Sequence, residues 1–168
     1  MDREQDLRRH LHDLVTRTFE GASGWPERVA VFERGIKLLD PLVRGVLAEI
    51  DDLFLDHTGT ISANHEVGAE GGVVQRWELS WPRQQSAVGR DGGPVAPVQV
   101  IAHFRRSFNH PHLRGSAAGD WPLQVLDAAD AQRQEPVVRA IVETEFHQRI
   151  FEGRWGIVPA MVREHGEP

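Results

Sequence analysis

The first apolar pattern in the chain has the spacing of an amphipathic helix. Over residues 3–20, apolar side chains recur every three or four positions and share one face, while charged residues and histidines share the other. The apolar positions are Leu7, Leu11, Leu14, Val15 and Phe19. A glycine-containing stretch at residues 21–24 follows, so the sequence predicts a first helix over Arg3–Glu20.

A second, longer apolar stripe follows the first. Pro26 suits the opening turn of a helix, because that turn leaves its amide protons unused and proline has none. The stripe continues to Phe54, and Gly59 supplies a stop. Asp40 and Pro41 are the residue types of a helix cap and a first turn, so they predict a restart or a kink inside this helix.

The periodicity changes from helical to two after Gly59. Alternating residues predict strands over residues 60–67, 73–81 and 95–108. The positions assigned to the inward faces of these strands include Ile61, His65, Trp77, Val100 and Phe108. Adjacent strands joined by short turns favour an antiparallel meander.

An irregular stretch at residues 109–126 leads to the last predicted helix, which begins at Asp127 or near Glu135 and ends at Gly153. The whole pattern predicts an α+β fold with N-terminal helices, an antiparallel sheet of three or four strands, and a C-terminal helix. We expect a single domain over residues 1–168, in which residues 1–24 are either part of the body or an appended N-terminal helix.

Composition excludes several classes of chemistry. The chain contains no cysteine, which excludes disulfides, thiolate nucleophiles, thioesters, zinc fingers and iron–sulfur clusters. Lys37 is the only lysine among 19 lysine and arginine residues. A Schiff-base mechanism therefore has almost no candidate residue, and the arginine bias is typical of a high-GC bacterial genome.

Charge and hydropathy indicate the environment in which the chain works. Its formal net charge is −6 at pH 7, and its densest basic runs are the pairs Arg8-Arg9 and Arg105-Arg106. We therefore expect no nucleic-acid partner, because such binding needs a basic face. The apolar runs are far shorter than the roughly 20 residues of a membrane span, and the polar N-terminus is unlike a signal peptide. We expect a soluble, cytoplasmic protein without a membrane partner.

The nine histidines and their carboxylate neighbours are the main candidates for chemistry. His65 lies on the apolar face of its predicted strand, where it is either a hydrogen-bonded structural residue or a general base. His103 lies on the other face of its strand and is expected to face solvent if helices cover one side of the sheet. Glu143 and His147 share a helical face, so they form either a solvated pair or one that exchanges a proton or binds a metal.

His110-Pro111-His112 is the most informative cluster in the sequence. Two histidines that flank one residue can both bind a metal ion, and His103 is available as a third ligand. Such sites usually also have a carboxylate a few residues further on, whereas residues 113–118 contain none. The proline favours a turn. We therefore expect an ordered turn and no cofactor, with a divalent metal ion at His103, His110 and His112 as the alternative.

The region around this cluster resembles the ubiquitin-conjugating-enzyme family. The last strand of that family's sheet follows the pattern aromatic-x3-apolar-x-His-Pro-Asn-Ile. The residues that fall on this spacing are Phe104, Phe108, His110, Pro111, His112 and Leu113. Residues 119–126 look like the family's active-site segment, so the resemblance covers about residues 95–126. It implies a helix, an antiparallel meander, a His-Pro turn and a C-terminal helix.

The resemblance also implies that the chain does not perform the family's reaction. The nucleophilic cysteine of the family would fall at Asp120, Trp121 or Pro122, and the chain has no cysteine. A thioester with a ubiquitin-like carrier therefore cannot form. His112 stands where the family has an asparagine that helps to hold the turn and the developing oxyanion. These departures imply a non-catalytic relative that binds a partner.

Two functions follow from these observations. The first is a non-catalytic protein-interaction module with a conjugating-enzyme-like fold, in which Trp81, Trp121 and Trp155 are candidate interface residues. The second is a small metabolic enzyme of the isomerase, lyase or cyclase type, cofactor-independent or metal-binding. It would use histidine and carboxylate acid–base chemistry, with His65 as the best base. A cavity over His65 and Trp77 would favour the enzyme. The partner would be a protein or a small molecule, and a homo-oligomer is open in either case.

Overall fold

The computed structural model describes residues 3–117 and 119–168 of the chain. Within these ranges the helices and strands are, in chain order, α1 (Arg3–Thr16), α2 (Trp25–Phe54), β1 (Thr60–Val67), β2 (Val73–Ser80), α3 (Pro82–Ser86), β3 (Val98–Phe104), β4 (His112–Arg114), β5 (Trp121–Pro122), α4 (Ala128–Arg133), α5 (Glu135–Gly153) and α6 (Pro159–His165). A short 3-10 turn, Trp155–Ile157, connects α5 to α6.

The described strands form a five-stranded antiparallel sheet in the order β1-β2-β3-β4-β5, in which each strand pairs with its neighbours in sequence. The predicted α+β class is therefore confirmed. The sheet has more strands than the three or four expected, because β4 and β5 are only three and two residues long. Such short runs show no alternation in sequence, and both lie in the stretch expected to be irregular.

Helices α2 and α5 cover one face of the sheet. That face is made of alternate residues of the central strands β2 and β3, namely Val73, Gln75, Trp77, Leu79, Val98, Val100, Ala102 and Phe104. The buried residues of α2 and α5 that belong to the same core include Leu39, Val43, Leu47, Val138 and Ile141. The core therefore lies between the sheet and these two helices, as expected for a layered α+β fold.

The opposite face of the sheet is mostly polar and is exposed or half-buried over most of its area. One row of register-paired residues across β1 to β4 runs Asn64, Arg76, Ile101 and Arg114. Glu66 on β1 forms an ion pair with Arg76 on β2 at 3.2 Å. Polar residues alternate with apolar ones because only one face of the sheet is covered by helices.

Helix α2 is continuous over 30 residues and does not restart at Asp40 or Pro41. Proline removes one backbone hydrogen bond from a helix, and Pro41 lies on the exposed side of α2, where water can satisfy the freed carbonyl. Asp40 does not cap a new helix. Its carboxylate accepts a hydrogen bond of 2.7 Å from Nε1 of Trp77 and is paired with Arg44. Packing on β2 therefore holds the helix together across the proline.

Helix α1 has the opposite orientation to the one that its apolar stripe suggests. Its polar side packs on the body through Asp6, Arg9, His10 and Asp13, which are half-buried or buried. Its apolar side faces solvent, with exposed fractions of 57% for Leu7, 50% for Leu11, 41% for Leu14 and 84% for Val15. The helix ends at Thr16, and Phe19, which was expected on it, is buried after its end.

Strand β1 is an edge of the sheet and is exposed over most of its length. Its predicted inward residues do lie on the predicted side, since Ala63 pairs with Trp77 and His65 with Gln75. His65, which was expected on the inward apolar face, is exposed, because the helices cover the centre of the sheet and leave its β1 edge open to solvent.

Over residues 3–117 and 119–168, no helix combines the length and the apolar character that a membrane crossing requires.

Candidate functional site

Four histidines and two aspartates meet beside the margin of the sheet where β3 ends and β4 begins. Two of the histidines belong to the paired strands, one precedes β4, and one lies on α1. One aspartate lies on α1 and the other in the segment before β5. We call this group the histidine cluster: His10, Asp13, His103, His110, His112 and Asp120.

His103 and His112 form the outer half of the histidine cluster. They are opposite each other in the register of β3 and β4, on the polar face of the sheet. Their ring centroids are 5.6 Å apart, and the ring planes are inclined by 24°. Nε2 of His103 lies 2.9 Å from Oδ1 of Asp120. The ring of Phe108 meets both imidazoles in T-shaped contacts.

His103 is only 6% exposed although it lies on the polar face. The expectation that it faces solvent is therefore wrong. The segments that follow β3 and β4 fold back over this end of the sheet and bring Phe108 and Asp120 against the imidazole. Phe108, which was expected to point into the core, is instead 42% exposed above the two rings.

The electrostatics of the outer half favour the ionised form of Asp120 and the neutral form of His112. The hydrogen bond from His103, together with the charges of His103 and Arg114, lowers the pKa of Asp120. Burial and the neighbouring His103 lower the pKa of His112. An ionised Asp120 accepts the Nε2 proton of His103, which leaves Nδ1 of that ring with a free lone pair.

His110 and His10 form the inner half of the histidine cluster and attach α1 to the body. Nδ1 of His10 lies 3.2 Å from Nδ1 of His110, and one of the two rings donates to the other. On its other side, Nε2 of His110 lies 3.2 Å from Oδ2 of Asp13. Phe19 packs edge-on against the His110 ring. His110, which the sequence placed in an ordered turn or a metal site, is therefore a contact point for α1.

Burial keeps the inner histidines neutral. It lowers the pKa of His110 to about 4, with the neighbouring His10 acting in the same direction and Asp13 opposing. Burial also lowers the pKa of His10, against an opposing effect of Asp13. Both rings are therefore uncharged at neutral pH, as their direct nitrogen-to-nitrogen contact requires.

The histidine cluster contains all three buried side-chain nitrogen or oxygen atoms that lack a hydrogen-bond partner in the described part of the chain. They are Nδ1 of His103, Nε2 of His110 and Nδ1 of His112. Nε2 of His110 still has the Asp13 carboxylate nearby at 3.2 Å. The two Nδ1 atoms on the outer half are the exception to the rule that buried polar atoms are paired.

A second polar group lies under α1 and centres on Arg9. This guanidinium donates to Asp130 at 3.0 and 3.2 Å and also to Glu20. Burial would raise the pKa of Asp130, but the hydrogen bonds from Arg9 and from the Leu126 amide outweigh it and lower that pKa. At Glu20 burial prevails and raises the pKa despite the same arginine. Arg9 thus joins α1 to α4 and to the turn before α2.

A third polar group is buried beneath the segment after β4. Glu145 is fully buried on α5 and accepts hydrogen bonds from the Ser116 hydroxyl at 2.7 Å and the Ala117 amide at 2.9 Å. Arg149, one turn later, donates to both Glu145 and Ser116. A Cβ atom at Gly115 would lie 2.7 Å from the Glu145 carboxylate, so only glycine fits there. Glu145 therefore connects α5 to the segment after β4.

His65, the favoured base of the enzyme hypothesis, does not belong to the histidine cluster. Its Nε2 lies 3.6 Å from Glu33 of α2, and both side chains are exposed by more than two fifths, at 43% and 44%. A shallow cleft of about 340 Å³ adjoins it, lined also by Ile36, Lys37 and Gln75. Trp77 is fully buried against α2, so the cleft does not extend over it.

Glu143 and His147 lie on the exposed side of α5, away from the core, as expected. Neither belongs to the histidine cluster, and among residues 3–117 and 119–168 neither forms an ion pair. The buried Glu145 lies between them in sequence, on the face of α5 that the sequence analysis did not examine for chemistry.

The candidate interface tryptophans differ in their surroundings. Trp81 is 1% exposed, and its Nε1 donates to the carbonyl of Ile157 at 2.6 Å, so it is a core residue and offers no surface. Trp121 is half-buried on β5 opposite Leu113. Trp155 is half-buried at the start of the 3-10 turn, beside His165. Only Trp121 lies near α1.

Sequence reasoning identified three of the four clustered histidines and neither of the aspartates. His10 and Asp13 reach the cluster only through the placement of α1, and Asp120 through the path of the chain between β4 and β5. These approaches are long-range, and no local pattern reports them.

An exposed group of Asp51, Asp52 and His57 at the end of α2 also has ligand atoms within 4.8 Å of one another. There Asp51 caps the Gly59 amide at 2.7 Å, and Asp52 pairs with His57.

Comparison with known proteins gives no match for this chain, whether to a protein-family model, a curated protein or a solved structure.

Proposed function

We propose that the chain is a non-catalytic protein-interaction module that docks through the exposed side of α1. The observation that supports this most directly is the inverted orientation of the helix, whose apolar residues face solvent while Asp6, Arg9 and Asp13 pack on the body. We call the exposed residues the α1 apolar surface: Leu7, Leu11, Leu14 and Val15. Contiguous exposed apolar patches on a folded protein mark interaction sites.

Helix α1 cannot turn this surface inward without large losses. Rotation would break the hydrogen bonds of Arg9 to Asp130 and Glu20, and it would leave Asp130, 2% exposed, without one of its arginine partners. It would also separate His10 and Asp13 from His110. Leaving a buried charge unpaired is strongly unfavourable. The α1 apolar surface is therefore held in its outward orientation.

The charges that flank this surface match a second copy of the same chain. Glu4 lies three residues before Leu7, and Arg17 lies three residues after Leu14. In an antiparallel pair of α1 helices related by a two-fold axis near Leu11, each Leu7 meets the second copy's Leu14, and each Glu4 meets its Arg17. An isologous contact needs this kind of self-complementarity, and charge matching of this kind fixes the register.

A neighbouring cleft extends the surface beyond the helix. It has a volume of about 330 Å³, begins at Leu7, and is lined by Trp121, Pro122 and Val137 among others. The helix itself is about 21 Å long at 1.5 Å per residue. A typical stable interface buries roughly 800 Å² on each partner. Because one short helix provides only part of such an area, we expect a weak dimer that uses this cleft as well.

The arrangement of elements also supports an interaction module related to the conjugating-enzyme family. A helix, a meander of consecutive antiparallel strands, a His-Pro turn and C-terminal helices follow one another in the order that the resemblance implies. Asp120, one of the three positions where the family's nucleophile would fall, is hydrogen-bonded to His103. The enzyme alternative has less support, because Trp77 is packed and the free ring nitrogens of His103 and His112 are buried.

The test is the oligomeric state of matched leucine variants. Sedimentation velocity over a range of protein concentrations should show a monomer–dimer equilibrium for the natural chain. Leu11→Asp should make the chain monomeric, because it places a charge at the centre of the pair. Leu53→Asp is the control, since Leu53 on α2 is also exposed, at 64% against 50% for Leu11, and it should leave the equilibrium unchanged.

A second comparison tests the antiparallel register. Glu4→Arg and Arg17→Glu should each weaken the dimer, and the double variant should restore it because the pairing is merely reversed. A natural chain that stays monomeric at high concentration would overturn the proposed dimer. A dimer that Leu11→Asp does not affect would overturn the role of α1.

A further inference from the structure

We propose that His103 and His112 bind one divalent transition-metal ion through their Nδ1 atoms, with Asp120 orienting the His103 ring. This site is separate from the α1 apolar surface and does not depend on dimer formation. It uses the outer half of the histidine cluster, where β3, β4 and the segment before β5 meet.

The first observation is that the two Nδ1 atoms are buried and lack hydrogen-bond partners. Both side chains are themselves largely buried, and His103 is 6% exposed. A buried ring nitrogen with a free lone pair normally accepts a hydrogen bond or binds a metal ion. Because the two nitrogens lie on adjacent strands, a single bound ion would give both of their lone pairs a partner.

The second observation is the spacing of the rings. With N–metal bonds of about 2.0–2.1 Å, two imidazoles on one tetrahedral ion have ring centroids roughly 5 Å apart. The centroids of His103 and His112 are 5.6 Å apart. This separation exceeds that of rings in direct face-to-face contact. The β3–β4 register, in which the two residues are direct cross-strand partners, therefore places the rings at a separation close to the one that a shared ion gives.

The third observation is the hydrogen bond of 2.9 Å between Nε2 of His103 and Asp120. Histidines that bind metals usually donate their other ring proton to a carboxylate, which fixes the tautomer and raises the basicity of the ligand nitrogen. The carboxylate–imidazole part of such a site is therefore already assembled.

The chemistry of the donors indicates the class of ion. Neutral imidazoles suit zinc, copper, nickel and cobalt, whereas magnesium and calcium require oxygen ligands. His110 is excluded as a third ligand, because its two nitrogens face His10 and Asp13. Water or a further side chain would complete the coordination sphere. This inference narrows the sequence-based alternative of His103, His110 and His112 to two of its three residues.

The covering residue offers a route of entry. Phe108 lies across both rings and is 42% exposed on the segment between β3 and β4. Its side chain can rotate into solvent without disturbing the core, since it packs only on this margin. An ion bound beneath it would link β3 to β4 and, through Asp120, to the segment before β5.

Isothermal titration of the metal-free chain with zinc chloride, and with cobalt chloride followed by visible absorption, tests the site. We expect one ion per chain and a cobalt spectrum with nitrogen ligation. His112→Gln should abolish this binding, and Asp120→Asn should weaken it about 10- to 100-fold, the usual effect of losing the second partner of a ligating histidine. Far-ultraviolet circular dichroism confirms that each variant is folded.

Two controls separate this site from other histidines. His57→Gln removes the exposed Asp51, Asp52 and His57 group, and His147→Gln removes an isolated surface histidine. Both variants should bind zinc as the natural chain does. Long-range nitrogen–proton spectra of the natural chain provide a readout that needs no variant, because zinc should shift the Nδ1 resonances of His103 and His112 selectively. Absence of binding, or binding lost in His57→Gln and kept in His112→Gln, would overturn the proposal.

Discussion

Trp77 and Asp40 join the sheet to its longest helix through a hydrogen bond of 2.7 Å from the indole Nε1 to Oδ1 of the carboxylate. Trp77 is fully buried, whereas Asp40 reaches it from a half-exposed position on α2 beside Pro41. This hydrogen bond therefore ties α2 to β2 next to Pro41, where the helix lacks one backbone hydrogen bond.

Replacing Asp40 should destabilise the chain through this contact. Asp40→Ala leaves a buried indole N–H without a partner, and we expect a loss of about 1–3 kcal/mol in the free energy of unfolding. Urea denaturation measures it. Combining Asp40→Ala with Trp77→Phe checks the cause, because phenylalanine has no N–H group that could be left without a partner. If the effect of Asp40→Ala is equally large in the Trp77→Phe background, the hydrogen bond is not its source.

Acid should loosen the contact between α1 and the body. The pKa of His110 is about 4 in the folded chain, chiefly because of burial and then of His10, whereas an exposed histidine titrates near 6.5. Because the folded pKa is lowered, stability is complete above about pH 6.5 and is lost as pH falls toward 4. We expect a loss of about 2 kcal/mol across this window.

Thermal unfolding between pH 7.5 and pH 4.5 measures this loss, with a chelator present so that no metal contributes. The neighbouring groups whose charges act on His110 are His10, Asp13 and His112. His110→Gln should flatten the profile in this range, while His12→Gln, on the exposed side of α1, should not. A natural chain whose stability is constant from pH 7 to pH 5 would contradict the prediction.

Arg9 should be far more important to α1 than the arginine next to it. Arg9→Ala removes the guanidinium that serves both Asp130 and Glu20 in a part-buried setting, and we expect a loss of about 1–3 kcal/mol. Arg8 pairs only with Glu4 on the surface, so Arg8→Ala should change stability by less than about 0.5 kcal/mol. Hydrogen exchange of the α1 amides should accelerate in the first variant alone. Equal protection in both variants would show that the polar side does not hold the helix.

Glu145 and Glu143 provide a matched pair on one helix. Glu145→Gln disturbs the buried hydrogen bonds to Ser116, Ala117 and Arg149, and breaking a buried ion pair is expected to reduce stability by about 3–5 kcal/mol. Glu143→Gln, on the exposed side of α5, should lie within about 0.5 kcal/mol of the natural chain. Urea denaturation distinguishes the two. Similar values for both would contradict a supporting role of Glu145 for the segment after β4.

The fold class could be predicted from periodicity because long elements repeat the pattern many times. Helices α2 and α5 and strands β2 and β3 lie where their stripes place them, with Trp77 inside as expected. Strands β4 and β5 could not be found in this way, because three and two residues contain too little alternation. Their positions are decided by pairing with a neighbouring strand, since β4 pairs with β3 and β5 pairs with β4.

The orientation of α1 and the make-up of the histidine cluster depend on long-range partners. An apolar stripe ordinarily predicts the buried side of a helix. In α1 the opposite side is packed, because Arg9 donates a hydrogen bond to Asp130 and Asp13 lies beside His110. The spacing of His110 and His112 in the sequence predicts a candidate site at this position. Asp120 had no such signal, since only the fold-back of its segment brings it to His103.

The pairing register of strand β1 is set with little contribution from buried side chains. Seven of its eight residues are exposed, so no hydrophobic side distinguishes its present alignment from one shifted along β2. Its alignment is determined by the hairpin at residues 68–72, where Gly71 takes a positive φ of 78°, and by cross-strand contacts such as Glu66 with Arg76. β1 is therefore a separable border of the sheet. We expect β1 to open locally more readily than β2 and β3, because strands with few buried apolar contacts have the lowest local stability.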